Sequence, residues 1–332
     1  MRNPAPILAI LGVATLAAFG LEATLPVLAQ PGAQFGPYDS GQAIYAALRQ
    51  PPSERIVLDG GEVDVLFADG APGLDRARTL AWVRKSAGAI RVYFGRFPVK
   101  RLGLLIVTDD GSRIHTGTTF GFDGSAIRVY VGRDAGQDAF DADWILVHEM
   151  VHAALPNVPR DSLWVQEGQA VYVEPIARAQ AGQIDPSEVW RWALSGMPKG
   201  QPKDGDEGLD HTHSWGRTYW GGAAFWLLAD VQIRERTHGR LGLQTALRAI
   251  NRASGGNTAQ WSVEQLMRVG DAATGGSELS SLYARMKATP TPVDLDGLFA
   301  KLGVAARDGQ PVFDDAAPWA AIRRQITTRP AS

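Results

Sequence analysis

Residues 144–153 read WILVHEMVHA, two histidines and a glutamate inside a stretch that is otherwise almost wholly apolar. Burying an imidazole or a carboxylate costs free energy unless a partner compensates it. On an α-helix, positions i and i+4 lie about 6 Å apart along the axis and about 40° apart around it. His148 and His152 therefore point the same way, and both rings can reach one zinc ion at about 2.0–2.1 Å. Glu149 is rotated by about 100° from His148. It reaches a water held by such an ion rather than the ion itself.

A catalytic zinc takes three protein ligands and keeps a fourth position open. With no cysteine in the chain, the donors must be nitrogen and oxygen. The stretch WVQEGQAVYVE (164–174) offers the third in Glu167, after fourteen intervening residues. Trp164, Val165, Ala170, Val171 and Val173 predict a mostly buried helix, where a carboxylate again needs a partner. Gly168 and Ala170 are small enough to let this helix approach the first one closely.

Around these motifs the chain divides. Arg2 precedes an uncharged, mostly apolar run at residues 6–21, and VLA ends at Ala29 with small residues placed as in an export cleavage site. Residues 1–29 are read as a signal peptide, which places the mature protein in the periplasm or outside the cell. Retention of residues 6–21 as a membrane anchor is the alternative. Residues 30–54, rich in Gly, Pro and Gln, read as a linker with one short helix. Strand patterns at 63–67, 101–110 and 125–132 surround a helical pattern at 74–95, which makes 55–140 a sheet-bearing part. From 141 the pattern is helical, with a zinc-binding part over 141–238 and a C-terminal helical part over 239–332. A long polar loop, 195–216, interrupts it; loops of that length are functional or disordered. The order predicts an α+β fold with a small mixed sheet followed by helices. A net charge of −2 with no basic stripe gives no electrostatic case for a nucleic-acid partner.

HEMVH followed by W-V-Q-E-G-Q-A-V-Y-V-E resembles the gluzincin zinc metallopeptidases, in the style of aminopeptidase N and the glycyl aminopeptidases. Trp164, Glu167, Gly168 and Ala170 match the segment that carries the family's zinc glutamate. The shorter gap between the two motifs points to a compact relative. The resemblance implies a thermolysin-like catalytic domain, Zn2+ as cofactor, and His148, His152 and Glu167 as its ligands. It also implies Glu149 as general base and a peptide or protein as substrate. Tyr219 followed by Gly222 matches the family's tyrosine-bearing helix, so the resemblance gives Tyr219 the role of oxyanion donor. Glu174 orients a ligand from behind or forms a helix-surface salt bridge, and His213 or His211 lines the cleft from the polar loop. His115 and His238 read as structural or exposed.

One departure stands out. No Gly-x-Met-Glu-Asn stretch precedes the zinc helix, the element that holds a free amine in the aminopeptidase N group. GFDGSAIRVYVG (121–132) occupies its place in chain order, and its strand is read as the edge that pairs with an extended peptide. Aminopeptidase specificity is thus not implied, and endopeptidase activity stays open. Two other readings compete: a zinc metallohydrolase acting on a non-peptide electrophile such as an epoxide, and an envelope binding or scaffold protein with a structural zinc.

Overall fold

The computed structural model describes residues 37–329. The apolar run 6–21 and the cleavage site at Ala29 lie outside them. The chain begins with helix α1 (Gly41–Leu48), then β1 (Glu54–Leu58), β2 (Gly61–Phe67), α2 (Arg76–Phe94), β3 (Arg101–Asp109), β4 (Ile114–Phe120) and β5 (Ser125–Gly132). The five strands form one mixed sheet in the order β1-β2-β3-β5-β4. β2, β3 and β5 run parallel, while β1 and β4 pair antiparallel on the two outer sides. The parallel pairing of β2 with β3 demands a crossover, and α2 supplies it. Asp75 caps the start of α2 by accepting from the Arg78 amide, and Gly95, at φ 81°, ends it.

β3 is apolar almost throughout because both sheet faces are covered. Leu104 and Ile106 join a core with Val83, Ala87 and Ile90 of α2. Leu105 and Val107 meet Ile44 of α1 on the opposite face. The short helix expected within 30–54 is α1, and it packs against the sheet. Asp39, just ahead of α1, also pairs with Arg128 of β5 at 3.0 Å.

One correction concerns the sheet edge. Residues 125–132 are β5, which has β3 on one side and β4 on the other. Its backbone groups are committed to both neighbours. The edges of the sheet are β1 and β4.

The rest is mainly helical: α3 (Gln137–Ala142), α4 (Ile145–His152), α5 (Leu163–Gln180), α6 (Pro186–Gly196), then α7 (Gly222–Arg236), α8 (Leu243–Ser254) and α9 (Val263–Thr274). α10 (Glu278–Met286), α11 (Leu295–Leu302) and α12 (Ala320–Thr327) complete it. A hairpin of β6 (Val304–Arg307) and β7 (Gln310–Phe313) interrupts the C-terminal helices. The architecture is α+β, with the small mixed sheet first and the helices after it. One apolar cluster runs from Ile56 of β1 to Ile326 of α12, so the parts 55–140, 141–238 and 239–332 share a single core. Among the described residues, no helix is long and apolar enough to cross a membrane.

Two glycines decide how α5 meets α7. A Cβ on Gly168 would overlap the backbone of Gly222, and a Cβ on Gly222 would overlap the Trp164 carbonyl oxygen. Gly168 thus serves the approach of α5 to α7, rather than that of α5 to α4. The polar stretch read as a loop over 195–216 starts within α6 and ends at a π-helical turn, and it is anchored at Asp206 and Asp210. Asp206 pairs with Arg217 at 2.6 Å. Asp210 accepts from the Ser162 hydroxyl at 2.9 Å, the Trp164 indole at 2.7 Å and the Tyr283 hydroxyl at 3.3 Å.

Candidate active site

α4 carries the two histidines. Its first turn is held by Asp143, whose carboxylate accepts from the Ile145 and Leu146 amides at 3.1 and 3.2 Å. Those amides have no partner within the helix, so the side chain satisfies what the fold leaves open. Asp143 also accepts from the Trp82 indole at 2.9 Å, which ties α4 to α2. Trp144 packs edge-on against the His148 ring.

α5 brings Glu167 up to the histidine pair. The two Nε2 atoms lie 3.3 Å apart, and Glu167 Oε2 lies 3.5 Å from each. Donors around a tetrahedral zinc, at bond lengths of about 2.0–2.2 Å, are about 3.3–3.6 Å apart. The triangle has the edge lengths that such an ion requires. Its N2O donor set is one that zinc accepts. Among the described residues, this is the one group of three or more His, Asp or Glu side chains so placed. Burial works against charge on Glu167 and His152, yet their mutual attraction wins. The Glu167 carboxyl is held well below the usual carboxylate range, and His152 is raised.

Glu149 is buried beside the triangle and is not part of it. Its Oε2 accepts from the Thr119 hydroxyl at 2.7 Å, and the same hydroxyl lies 2.9 Å from the Glu149 carbonyl oxygen. Thr119 belongs to β4, the edge strand. Two residues back, a Cβ on Gly117 would overlap the Glu149 side chain. The edge strand therefore runs over Glu149 in contact with it, and only glycine fits at that point.

Tyr219 comes from a π-helical turn, Gly216–Gly221, that leads directly into α7. Such turns are frequent at functional sites. The Gly168–Gly222 contact sets the distance between this turn and Glu167. The Tyr219 hydroxyl lies near enough to Glu167 and Glu149 to feel the charge of both carboxylates. Burial first, and then these two carboxylates, raise its pKa, so it remains a protonated donor. The turn is braced from the other side: Arg217 donates to the Gly200 carbonyl at 2.6 Å, and Gly200 and Gly221 touch through their backbones.

The remaining sequence candidates fall elsewhere. Glu174 is buried, 3% exposed, and pairs with Arg178 at 2.9 Å, one turn along α5. This corrects both readings of it: the salt bridge is not on the surface, and its partner is not a member of the triangle. Burial pushes the Glu174 carboxyl up to about 7 against the pull of Arg178. His213 and His211 are exposed on the polar loop, and neither is in the triangle.

Thr119, Asp143 and Trp215, which stacks on Tyr219, are the neighbours that the sequence did not single out. Thr119 gives a direct test. Thr119→Val keeps the shape and removes the donor to a carboxylate, an interaction of about 1.5 kcal/mol or more. Turnover should fall by about tenfold in kcat with zinc content unchanged, and Thr119→Ser should restore most of it. A Thr119→Val protein with parental kcat would show that the bond does not orient Glu149.

Compared by sequence, the chain matches no family model and none of the curated proteins. Compared by structure, it is similar to an aminopeptidase N family protein from Idiomarina loihiensis, with a TM-score of 0.54 and 15% identity over 76% of this chain and 49% of that one. An M1 zinc metallopeptidase from Deinococcus radiodurans superposes with a TM-score of 0.42 and 13% identity, over 73% of this chain and 53% of that one. The first match shows an aminopeptidase N-like fold. The chain spans about half the length of these proteins.

Proposed function

We propose that this chain is an exported, zinc-dependent metallopeptidase that hydrolyses peptide bonds with Glu149 as general base. The observation that carries the reading is a division of labour. Three donors form a triangle of zinc dimensions, and a fourth ionisable group, Glu149, stands beside it with a separate partner. A purely structural zinc has no use for that carboxylate.

His148, His152 and Glu167 would hold the ion. When bound, zinc lowers the pKa of a coordinated water toward about 7 and polarises a carbonyl. The chain's own groups supply the proton chemistry. Glu149, fixed by Thr119, accepts a proton from the attacking water and returns it to the leaving amine. Tyr219, kept protonated beside Glu167 and Glu149, donates to the oxygen that gains charge as the carbonyl carbon becomes tetrahedral. β4 offers its free edge to an extended peptide beside Glu149. Export rests on residues 6–21 and the VLA site ending at Ala29.

The test is digestion of a broad peptide library by the purified protein, with metal analysis in parallel. Cleavage that is lost on chelation and regained with zinc is the expected outcome. Full zinc occupancy without cleavage of any peptide would overturn the reading and favour a non-peptide electrophile or a scaffold.

A further inference from the structure

Nine of the chain's ten tryptophans are buried or half-buried; Trp215, 45% exposed, is the exception. Folding leaves this large apolar side chain in water, although burying it would add favourable free energy. Its position is not casual. Trp215 immediately precedes the π-helical turn, and its indole stacks on the Tyr219 ring with centroids 6.1 Å apart and planes 26° apart. The turn that carries Tyr219 runs into the helix whose Gly222 touches Gly168, the residue after Glu167, so the indole stands one ring away from the side chain that faces the donor triangle.

The platform beneath it is stiff. A Cβ on Gly216 would overlap the Lys199 carbonyl oxygen, and the next residue, Arg217, is buried and paired with Asp206. A rigid aromatic side chain, exposed but fixed by its backbone, loses little entropy when it is covered. That is the property of residues that dominate binding energy at interfaces. Lys199 places its ammonium 5.9 Å from the centre of the same indole. A second cation arriving there would meet a like charge.

We propose that Trp215 forms a substrate subsite that selects apolar and aromatic side chains close to the scissile bond and disfavours cationic ones. This rests on the peptidase reading. An extended peptide advances about 3.3 Å per residue. The offset of 6.1 Å between the two rings thus spans about two residues. A carbonyl within reach of Tyr219 therefore puts a side chain no more than about two positions away over the indole. Trp215 is a specificity residue in this assignment, and it takes no part in proton transfer.

The experiment uses the full protein and peptides varied at the two positions on each side of the cleaved bond. At one of these positions the parent should prefer Phe or Leu to Lys or Arg. Trp215→Ala should lower kcat/KM for the Phe and Leu peptides by about tenfold, mainly through KM, and for Ala peptides by less than about threefold. Trp215→Phe should keep most of the preference. Calorimetry gives a readout without turnover: in a Glu149→Gln background, Trp215→Ala should weaken binding of an intact Phe-containing peptide by about tenfold. If Trp215→Ala cleaves with the parent's selectivity and binds with the parent's affinity, the subsite assignment fails while the peptidase reading stands. If the parent cleaves no peptide, both fail.

Discussion

Glu149→Gln is expected to lower turnover by at least about 10⁴-fold while zinc content and fold stay at parental values. General-base catalysis contributes about 10²–10⁴-fold. In the proposed mechanism the same carboxylate also returns the proton to the leaving amine, so two steps would lose their proton carrier at once. The substitution is close to isosteric. The amide oxygen can still accept from Thr119, which now donates at 2.7 Å to the carboxylate. The contact with Gly117 on β4 also survives, because the side chain keeps its length and volume. What disappears is the capacity to take a proton. Elemental analysis and peptide turnover on the same preparation decide the matter. A variant that keeps parental turnover would remove Glu149 from the role of base, and a variant that loses zinc would place it among the ligands.

The legible part of the site was the part in which side-chain chemistry conflicts with its surroundings. His148 and His152 stand in an apolar run and Glu167 on a mostly buried helix, where an ionisable group demands a partner, and the helical repeat places the two histidines on one face. Tyr219 was reached through its resemblance to a family helix. The spacing to Gly222 has a steric basis in the contact with Gly168, which no one-dimensional pattern displays. The same blindness sent Gly168 to the wrong neighbour. Small residues announce a close approach, but they do not say to which helix.

β4 was missed for a different reason. Ile-His-Thr-Gly-Thr-Thr-Phe carries its apolar residues only at the two ends, because Gly117 and Thr119 face Glu149 and Thr118 faces Arg128 rather than a packed core. One signal could have found it. Asp123-Gly124 sits between this run and the strand at 125–132, and an Asp-Gly pair between two strand-like segments is a strong hairpin mark. Reading that turn would pair β4 with β5. Asp143 was equally accessible as a capping type just before an apolar helix. Glu174 was not. A carboxylate on a helix with an arginine four residues later reads as a surface pair, and only the packing of α5 shows that both are buried.

His152→Ala tests the metal assignment from the other side, because it removes one corner of the triangle and leaves the base in place. Zinc binding in small protein sites is worth about 10–16 kcal/mol over four ligands. Shared evenly, one ligand carries roughly 2.5–4 kcal/mol, so affinity should fall by about 10²–10³-fold. Glu167 would also lose one of the two imidazoles it faces at 3.5 Å, which weakens the geometry that remains. Two measurements follow. Zinc content after dialysis against a weak chelator should drop to a small fraction of the parental value. Thermal stability should lose its dependence on added zinc, since a ligand stabilises the folded state by RT ln(1 + [L]/Kd), about 1.4 kcal/mol for each tenfold excess over Kd. Glu174→Gln is the informative contrast: its partner is Arg178, so zinc content should stay parental even if stability falls. Full occupancy in His152→Ala would sink the three-ligand site. Loss of zinc in Glu174→Gln as well would mean that the metal responds to the general packing of α5 rather than to the donors that α4 and α5 bring together.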